Sequence, residues 1–300
     1  MRVLLYVFLI VTFSSHGVDL VKLHKTRSAN DLRMPYKLEV LTAALEATVE
    51  KYGAYQIEQI ALNRYAQRSI IDVQSAAEIN LFVAVSQPEW ENKAIPIRIP
   101  IKRGILNYRL LVIREGTQET FSQIKTLADL KKPIAALRKG WTTVGILKHH
   151  QLNVLEVSSL DGIFPMLSVG RVDYIPLGVN EIEDNISVRK AEISNLVIEE
   201  KLALYTKAPV YFFVSPKAPR IAQRLEEGME TLVKNGQLKA IFYRYFGEKI
   251  KRAALNKRTI IDIENPLMTQ ETPVERKELW FENDDEFQEM LPNINLNTQR

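Results

Sequence analysis

Residues 126–181, TLADLKKPIAALRKGWTTVGILKHHQLNVLEVSSLDGIFPMLSVGRVDYIPLGVNE, alternate strand and helix signals at the spacing of a compact α/β unit. Thr126 and Asp129 have the spacing that opens a helix, and Pro133 ends it. The apolar run 134–137 then predicts a buried strand.

The rest of this stretch predicts two further strands and the helices between them. Residues 138–143 turn the chain into a helix, and strands are expected over 153–157 and 172–177, separated by a helix over 159–170. Two βαβ crossovers of this kind build an open, mainly parallel sheet, whose ligands collect at the carboxyl ends of the strands.

Similar signals flank this unit on both sides. Strands are expected over 18–23, 55–60 and 79–85, helices over 38–52 and 62–76, a long strand over 104–113 that crosses between lobes, a returning strand over 210–214, and closing helices over 218–234 and 237–246. The fold class predicted is α/β with two lobes, each a mixed, mainly parallel sheet flanked by helices, joined by two crossing strands.

The predicted domain boundaries follow from these elements. Lobe 1 comprises residues 18–106 and 215–265, and lobe 2 comprises residues 107–214. Residues 266–300 form a C-terminal extension that is expected to be partly disordered. It contains the prolines Pro266 and Pro273 and an acidic patch at 282–286, and its apolar residues show little helix or strand periodicity.

Residues 1–17, MRVLLYVFLIVTFSSHG, have the charge, short apolar run and small residues of a cleavable secretory signal peptide. The apolar run is too short to span a bilayer. With no cysteine in the chain, neither a disulfide nor a lipid-modified cysteine is available. These features predict export to the periplasm without a lipid anchor.

Composition and motifs exclude several classes of function. Basic and acidic residues are mixed along the chain with a formal charge of +4, so nucleic acid is not an expected partner. The four histidines and the absence of cysteine argue against a metal or other cofactor. No G-x-S-x-G or P-loop occurs, and the two S-x-x-K stretches lack companion motifs, so the chain is not expected to be an enzyme.

Three phrases together resemble the type 2 periplasmic solute-binding protein superfamily, in the branch of polar amino-acid receptors of ABC transporters. They are TLADLKKPIAALRKGWTT (126–143), MLSVGRVDYI (166–175) and LEEGMETLVKNGQLKAIFYRYFG (225–247). The resemblance covers residues 18–247. It implies a ligand held between two closing lobes, delivery to a membrane permease or a sensor protein, and a monomer.

The chain departs from these receptors at two positions. Their ligand-carboxylate arginine has no counterpart in residues 86–93, where Lys93 or the later Arg98 would have to substitute. Where the receptors place an aspartate for the ligand ammonium, this chain has Gly178, and the nearest acids are Glu181 and Glu183. These departures argue against an ordinary α-amino acid as ligand.

The candidate ligand-binding residues lie in loops that follow strands. A helix that begins near residue 142 offers backbone amides and a positive dipole end, which favour an anion. An alternative is that one threonine merely caps this helix and Trp141 merely packs. The candidates are Tyr36, Trp90, Trp141, Thr142, Thr143, Asn180 and Glu181.

The predicted function is capture of a small anionic or zwitterionic polar solute for an ABC-type transporter or a sensor. Two alternatives stay open. One is an accessory or signalling protein whose degenerate cleft binds nothing tightly. The other is a periplasmic lyase of the same fold that uses Glu181 as its general acid or base.

Overall fold

The computed structural model describes residues 17–25, 33–61 and 66–290. The predicted signal peptide, apart from Gly17, and the last ten residues therefore lie outside the described residues. The strands are β1 (Asp19–His24), β2 (Tyr55–Ile60), β3 (Leu81–Val85), β4 (Ile95–Ile97), β5 (Tyr108–Arg114), β6 (Ala135–Arg138), β7 (Val154–Val157), β8 (Ile175–Gly178), β9 (Leu196–Ile198), β10 (Leu202–Tyr205), β11 (Val210–Val214) and β12 (Thr259–Asp262).

The helices of the described residues cover the faces of the strands. They are α1 (Arg33–Glu46), α2 (Val49–Tyr52), α3 (Ala66–Ser75), α4 (Pro88–Lys93), α5 (Gln118–Ser122), α6 (Thr142–His149), α7 (Leu160–Ser168), α8 (Ile182–Ser187), α9 (Pro219–Lys234), α10 (Gln237–Ala253) and α11 (Asp285–Met290). None of these helices is long and apolar enough to cross a membrane.

The first lobe contains two neighbouring sheets, a two-stranded sheet of β1 and β2 and a three-stranded sheet with the strand order β3-β11-β4. β1 and β2 are parallel, and β11 runs antiparallel to both β3 and β4. The Asn80 side chain joins the two parts, since its oxygen accepts from the Lys22 amide at 2.8 Å and its nitrogen donates to the Leu20 carbonyl at 2.8 Å. The long helices α1, α9 and α10 pack together in this lobe.

The second lobe contains the predicted βαβ units, which are confirmed. β6 and β7 are parallel, and a parallel bridge between Ala135 and Tyr174 places the chain leading into β8 on the other side of β6. β8 pairs with β5, which in turn pairs with β9 and β10. The mixed α/β class and the two-lobed architecture agree with the sequence prediction.

The first crossing strand is shorter than the sequence predicts. β5 begins at Tyr108, because Gly104 has a φ of +83° and is followed by a 3₁₀ turn over Ile105–Asn107. A Cβ at Gly104 would lie 2.8 Å from the Trp280 ring, so glycine is required there by both conformation and space. The chain therefore bends before it enters the second lobe.

Strand pairing moves two of the predicted domain boundaries. β11, which the boundary at residue 214 assigns to lobe 2, lies between β3 and β4 in the first lobe's three-stranded sheet. β12, which was assigned to lobe 1, pairs in parallel with β10 of the second lobe. Sequence periodicity identifies a strand but does not identify its neighbours, which are set by hydrogen bonds to distant chain.

Beyond β12 the chain links the two lobes once more. The Glu264 carbonyl is 2.8 Å from His150 Nε2 in the second lobe. A few residues later the Thr269 hydroxyl donates to Glu91 of α4 in the first lobe at 3.0 Å. Residues 264–269, which we call the strap, thus pass from one lobe to the other.

The segment after the strap packs against the base of the crossing strands. Trp280, Phe281 and Phe287 are almost completely buried, and the Phe281 ring lies 5.7 Å from the Tyr108 ring of β5 and 5.5 Å from that of Phe242 in α10. The extension that was expected to be partly disordered is thus part of the core through residue 287. Burial of its large aromatic side chains stabilises this segment, although its sequence lacks the regular periodicity of a helix or strand.

Candidate functional site

A cleft lies between the two lobes. One cavity of about 300 Å³ is lined by Phe82 and Trp90 from the first lobe and by Arg109, Trp141 and Glu181 from the second. A neighbouring cavity of about 390 Å³ shares several of its walls, namely Trp90, Gly140, Trp141 and Thr142. The two cavities thus adjoin each other, and each is large enough for a small organic molecule.

The start of α6 forms one wall of the cleft. Gly140 has a φ of +85° and lets the chain turn sharply, and Trp141 occupies the N-cap position without a side-chain cap. Neither threonine is the cap, so the alternative of a capping threonine does not apply. Within the described chain, the Thr142 and Thr143 amides make no backbone hydrogen bond outside the helix, and both residues line the cleft.

Arg109 is the most unusual side chain of the cleft. It lies on β5 and is only 4% exposed, yet its Nε has no hydrogen-bond partner. No hydrogen bond or ion pair from another described residue reaches its guanidinium. Burial lowers the pKa of Arg109 below its ordinary value, while the charge of Glu181 opposes that shift. A buried guanidinium that lines a cavity in this state is a strong site for an anion.

The charges around Arg109 have the same sign, with one exception. Lys37, Lys102 and Arg138 also line the cavity of about 300 Å³, and Glu181 is the single acidic residue among its described lining residues. Positive charge therefore predominates, and low-dielectric walls strengthen its field.

Aromatic rings also line the cleft. The Trp90 indole stacks on Phe82 with ring centroids 5.1 Å apart and an angle of 5° between the planes. It also contacts Phe213 at 5.6 Å, and only 8% of it is exposed. Trp141, half-buried, faces this cluster from the second lobe. The cleft thus has a cationic region and an aromatic region.

Five of the seven predicted residues lie together in the cleft: Trp90, Trp141, Thr142, Thr143 and Glu181. Tyr36 does not. It is fully buried under Tyr245 and Phe246, and its hydroxyl donates to the Ile101 carbonyl. The sequence predicted Tyr36 in a loop after a strand, as a wall of the cleft, but it lies in α1 with its side chain in the core.

Asn180 also lies outside the main cleft. It is 3% exposed and lines a smaller cavity of about 220 Å³ with Lys102 and Tyr245. Its backbone carbonyl accepts from Lys249 Nζ at 3.1 Å. The turn after β8 directs Glu181, rather than Asn180, towards the cleft.

The two basic residues considered as substitutes for the receptors' arginine are engaged elsewhere. Lys93 bonds Glu89 at 2.8 Å, and Arg98 bonds Glu91 at 2.7 Å. Sequence reasoning missed Arg109, although a signal was present. An arginine at the second position of the strand YRLLVIR, which is otherwise almost wholly apolar, must be buried, and a buried guanidinium needs a cavity or a partner.

No protein-family model and no curated protein matches the chain. Solved structures do match its fold. An ancestral arginine-binding protein bound to arginine aligns with a TM-score of 0.55 and 17% identity, over 77% of this chain and 99% of that one. A histidine kinase sensor domain with similarity to periplasmic binding proteins aligns at 0.54 and 16%, over 77% and 97%.

A third structure, an ancestral amino-acid-binding protein described as a precursor of cyclohexadienyl dehydratase, aligns with a TM-score of 0.53 and 14% identity, over 76% of this chain and 94% of that one. At such low identity these likenesses establish the fold. The chain has the two-lobed fold of periplasmic binding proteins, as the sequence resemblance predicted.

Proposed function

We propose that this chain is an extracytoplasmic solute-binding protein that captures a small anionic molecule in the cleft between its lobes. The observation that carries the proposal is Arg109, a buried guanidinium without a hydrogen-bond partner that lines the cleft. An unpaired buried charge is costly, and a carboxylate or similar anion would remove that cost by binding it through two hydrogen bonds.

Contributions from both lobes support a closing mechanism. Trp90 and Lys37 come from the first lobe, whereas Arg109, Trp141 and Glu181 come from the second. A ligand that contacts both groups stabilises the closed arrangement relative to an open one, by its difference in affinity for the two. This is the geometry that capture between lobes requires.

The biological setting is also a proposal. The first 17 residues have the pattern of a cleavable signal peptide, which supports a periplasmic location. One matched structure is a sensor domain and another is an amino-acid-binding protein, so delivery to an ABC-type permease or to a membrane sensor both fit the fold. The protein acts as a monomer in this proposal, with no cofactor.

Arg109 and the aromatic lining also favour a binding role over a degenerate cleft. If the cleft bound nothing, the buried guanidinium of Arg109 would destabilise the fold without serving a function. The accessory function therefore becomes the outcome expected only if no anion binds.

A thermal-shift experiment on residues 18–300 tests the proposal. Small carboxylates, amino acids, sugars and polyamines are each added in excess, and a ligand at 100 times its Kd should add roughly 2.7 kcal/mol, a rise of a few degrees in Tm. We expect carboxylates to stabilise the wild type, and Arg109→Gln to abolish that shift. Arg98→Gln, which alters an arginine outside the cleft, is the matched control and should retain it.

Two results would contradict the proposal. One is a folded wild type whose Tm responds to no compound of the panel. The other is a carboxylate shift that survives unchanged in Arg109→Gln.

A second candidate function is the lyase. Glu181 lies in the cleft close enough for its charge to act on Arg109, as a general acid or base beside an anion-binding group would. To test for lyase activity, the wild type and Glu181→Gln are each incubated with the carboxylates that bind, and conversion of the carboxylate to product is measured. Turnover by the wild type that disappears in the variant would establish the enzyme, and recovery of unchanged ligand would establish binding alone.

A further inference from the structure

The side chains that line the cleft comprise an apolar set and a cationic set, which we call its apolar part and its cationic part. The apolar part is formed by the stacked pair Phe82 and Trp90, with Val83 and Val85 of the same strand as Phe82. Trp141 faces it from the second lobe. Flat aromatic walls of this kind bury a planar or branched apolar group well.

The cationic part lies where α6 begins and where β5 enters the second lobe. The backbone of Arg109 is held on both sides by strand pairing, with Leu204 as one register partner and Gly178 as the other. Arg138, Thr142 and Thr143 line the same cavity. One carboxylate placed here would meet the guanidinium and the positive end of α6 together.

The described lining offers little to an ammonium group. In the larger cavity the acidic residues are already paired with lysines, Glu89 with Lys93 at 2.8 Å and Glu156 with Lys148 at 2.6 Å. In the other cavity Glu181 is the single acidic residue among the described lining residues, beside four basic ones, and its charge acts on Arg109. An ammonium bound beside the carboxylate would therefore face net repulsion.

We infer that the ligand of this cleft is a carboxylate with an aromatic or branched apolar body and no α-ammonium group. The inference rests on the proposed function and makes it more specific. Arg109 binds the carboxylate, Trp90 and Trp141 enclose the body, and the surrounding basic residues reject the zwitterion.

Matched pairs of compounds that differ only in the α-ammonium test the inference. The pairs are 3-phenylpropanoate with phenylalanine, 4-methylpentanoate with leucine, and glutarate with glutamate. Their Kd values for the full mature chain are measured by calorimetry. We expect each of the first two acids to bind at least tenfold more tightly than its amino acid, and 3-phenylpropanoate to bind more tightly than glutarate.

Two variants separate the contributions. Trp141→Ala should weaken 3-phenylpropanoate at least tenfold while changing glutarate less than threefold. Glu181→Gln should tighten 3-phenylpropanoate, because it removes a negative charge that acts on Arg109 and opposes a bound carboxylate. If Glu181 instead held an ammonium, the same variant would weaken phenylalanine at least tenfold.

The outcomes distinguish this inference from the proposed function. Phenylalanine binding more tightly than 3-phenylpropanoate, or glutarate more tightly than both, would overturn the inference and leave the proposed function standing. If none of the six compounds binds a folded protein and Arg109→Gln behaves as wild type with the wider panel, the proposed function falls and the inference falls with it.

Discussion

Arg103 and Asp284 are far apart in the chain, yet their side chains form a buried two-point ion pair. Arg103 Nη2 donates to Asp284 Oδ1 at 2.9 Å, and Nη1 donates to the other carboxylate oxygen. The same guanidinium donates to the Glu278 carbonyl at 2.8 Å, and the Tyr243 hydroxyl donates to Asp284 at 3.0 Å. The pair fixes the C-terminal segment beside the first crossing strand, next to Gly104.

Breaking this pair should cost much of the protein's stability. Asp284→Ala would leave the Arg103 charge buried without its carboxylate, and the expected loss is about 3–5 kcal/mol in the free energy of unfolding. Urea denaturation measures it. Asp285→Ala, at the exposed neighbouring position, is the control and should change stability by less than about 0.5 kcal/mol. If the two substitutions lowered the free energy of unfolding equally, the buried ion pair would make no specific contribution to stability.

Gly228 allows α9 to approach α1 closely. A Cβ at this position would lie 2.1 Å from the Ala44 carbonyl oxygen, which belongs to backbone and cannot move aside. Gly228→Ala should therefore destabilise the protein by roughly 2 kcal/mol or more, since the two helices would have to separate.

Gly247 supplies the opposite case for the same substitution. It lies inside α10, and the nearest atoms to its Cβ would be those of Tyr243 at 3.6 Å, an ordinary contact. Gly247→Ala should raise stability by about 0.5–1 kcal/mol, because alanine loses less backbone entropy in a helix. Thermal and urea unfolding of both variants check the pair of predictions, and a loss of stability in Gly247→Ala would contradict the account.

Glu282 should make stability depend on pH in a specific direction. Its carboxylate is buried and accepts from the Tyr205 hydroxyl at 3.1 Å, with Lys207 Nζ 3.8 Å away. Burial raises the pKa of Glu282 above its ordinary value in spite of these two neighbours. The folded protein therefore holds this proton more tightly than the unfolded chain, and stability falls as pH rises from the ordinary pKa to the raised one.

Glu282→Gln removes that cost. At pH 8 the variant should be more stable than the wild type. The difference should shrink as the pH falls towards 4.5, which Tm measurements between pH 4.5 and 8 would follow. Glu286→Gln is the control, because Lys239 lowers the pKa of that exposed carboxyl and its effect should have the opposite sign. If the stability of Glu282→Gln relative to the wild type instead increased as the pH fell, the raised pKa of Glu282 would be contradicted.

The α6 wall of the cleft can be tested independently of Arg109. Trp141→Ala and Thr142→Val should each weaken binding of 3-phenylpropanoate at least tenfold without changing the far-UV circular dichroism. The first removes an aromatic wall, and the second alters the contact at the start of the helix. Val169→Ala, at a position 69% exposed and outside the cleft, is the control. Unchanged affinity in both cleft variants would exclude this loop from the site.

Local sequence was sufficient for much of this molecule. The capping pattern of Thr126 and Asp129 is present as predicted, since the Asp129 carboxylate accepts from the Thr126 amide at 2.9 Å. The helix after Gly140 begins at Thr142, as the sequence predicted. Both are properties of a few neighbouring residues, so no distant contact is needed to specify them.

The cleft was only partly within reach of such reasoning. Trp141 and Glu181 follow strand ends, and the rule that ligands collect there placed them correctly in the cleft. The same rule predicted Tyr36 in the cleft, but Tyr36 is in the core. Which face of a helix packs inward depends on its tertiary partners, and those of Tyr36 are Tyr245 and Phe246.

The sequence by itself determined many of the helices and strands of residues 18–247 and the two-lobed α/β class, because hydrophobic periodicity, caps and turns act over a few residues. Only the tertiary structure decided which strands are neighbours, how the C-terminal segment returns to the crossing strands, and that Arg109 is the cleft's buried cation. Each of these depends on contacts between residues remote in the chain, such as Arg103 with Asp284, and a buried charge becomes a binding group only when the surrounding fold leaves a cavity beside it.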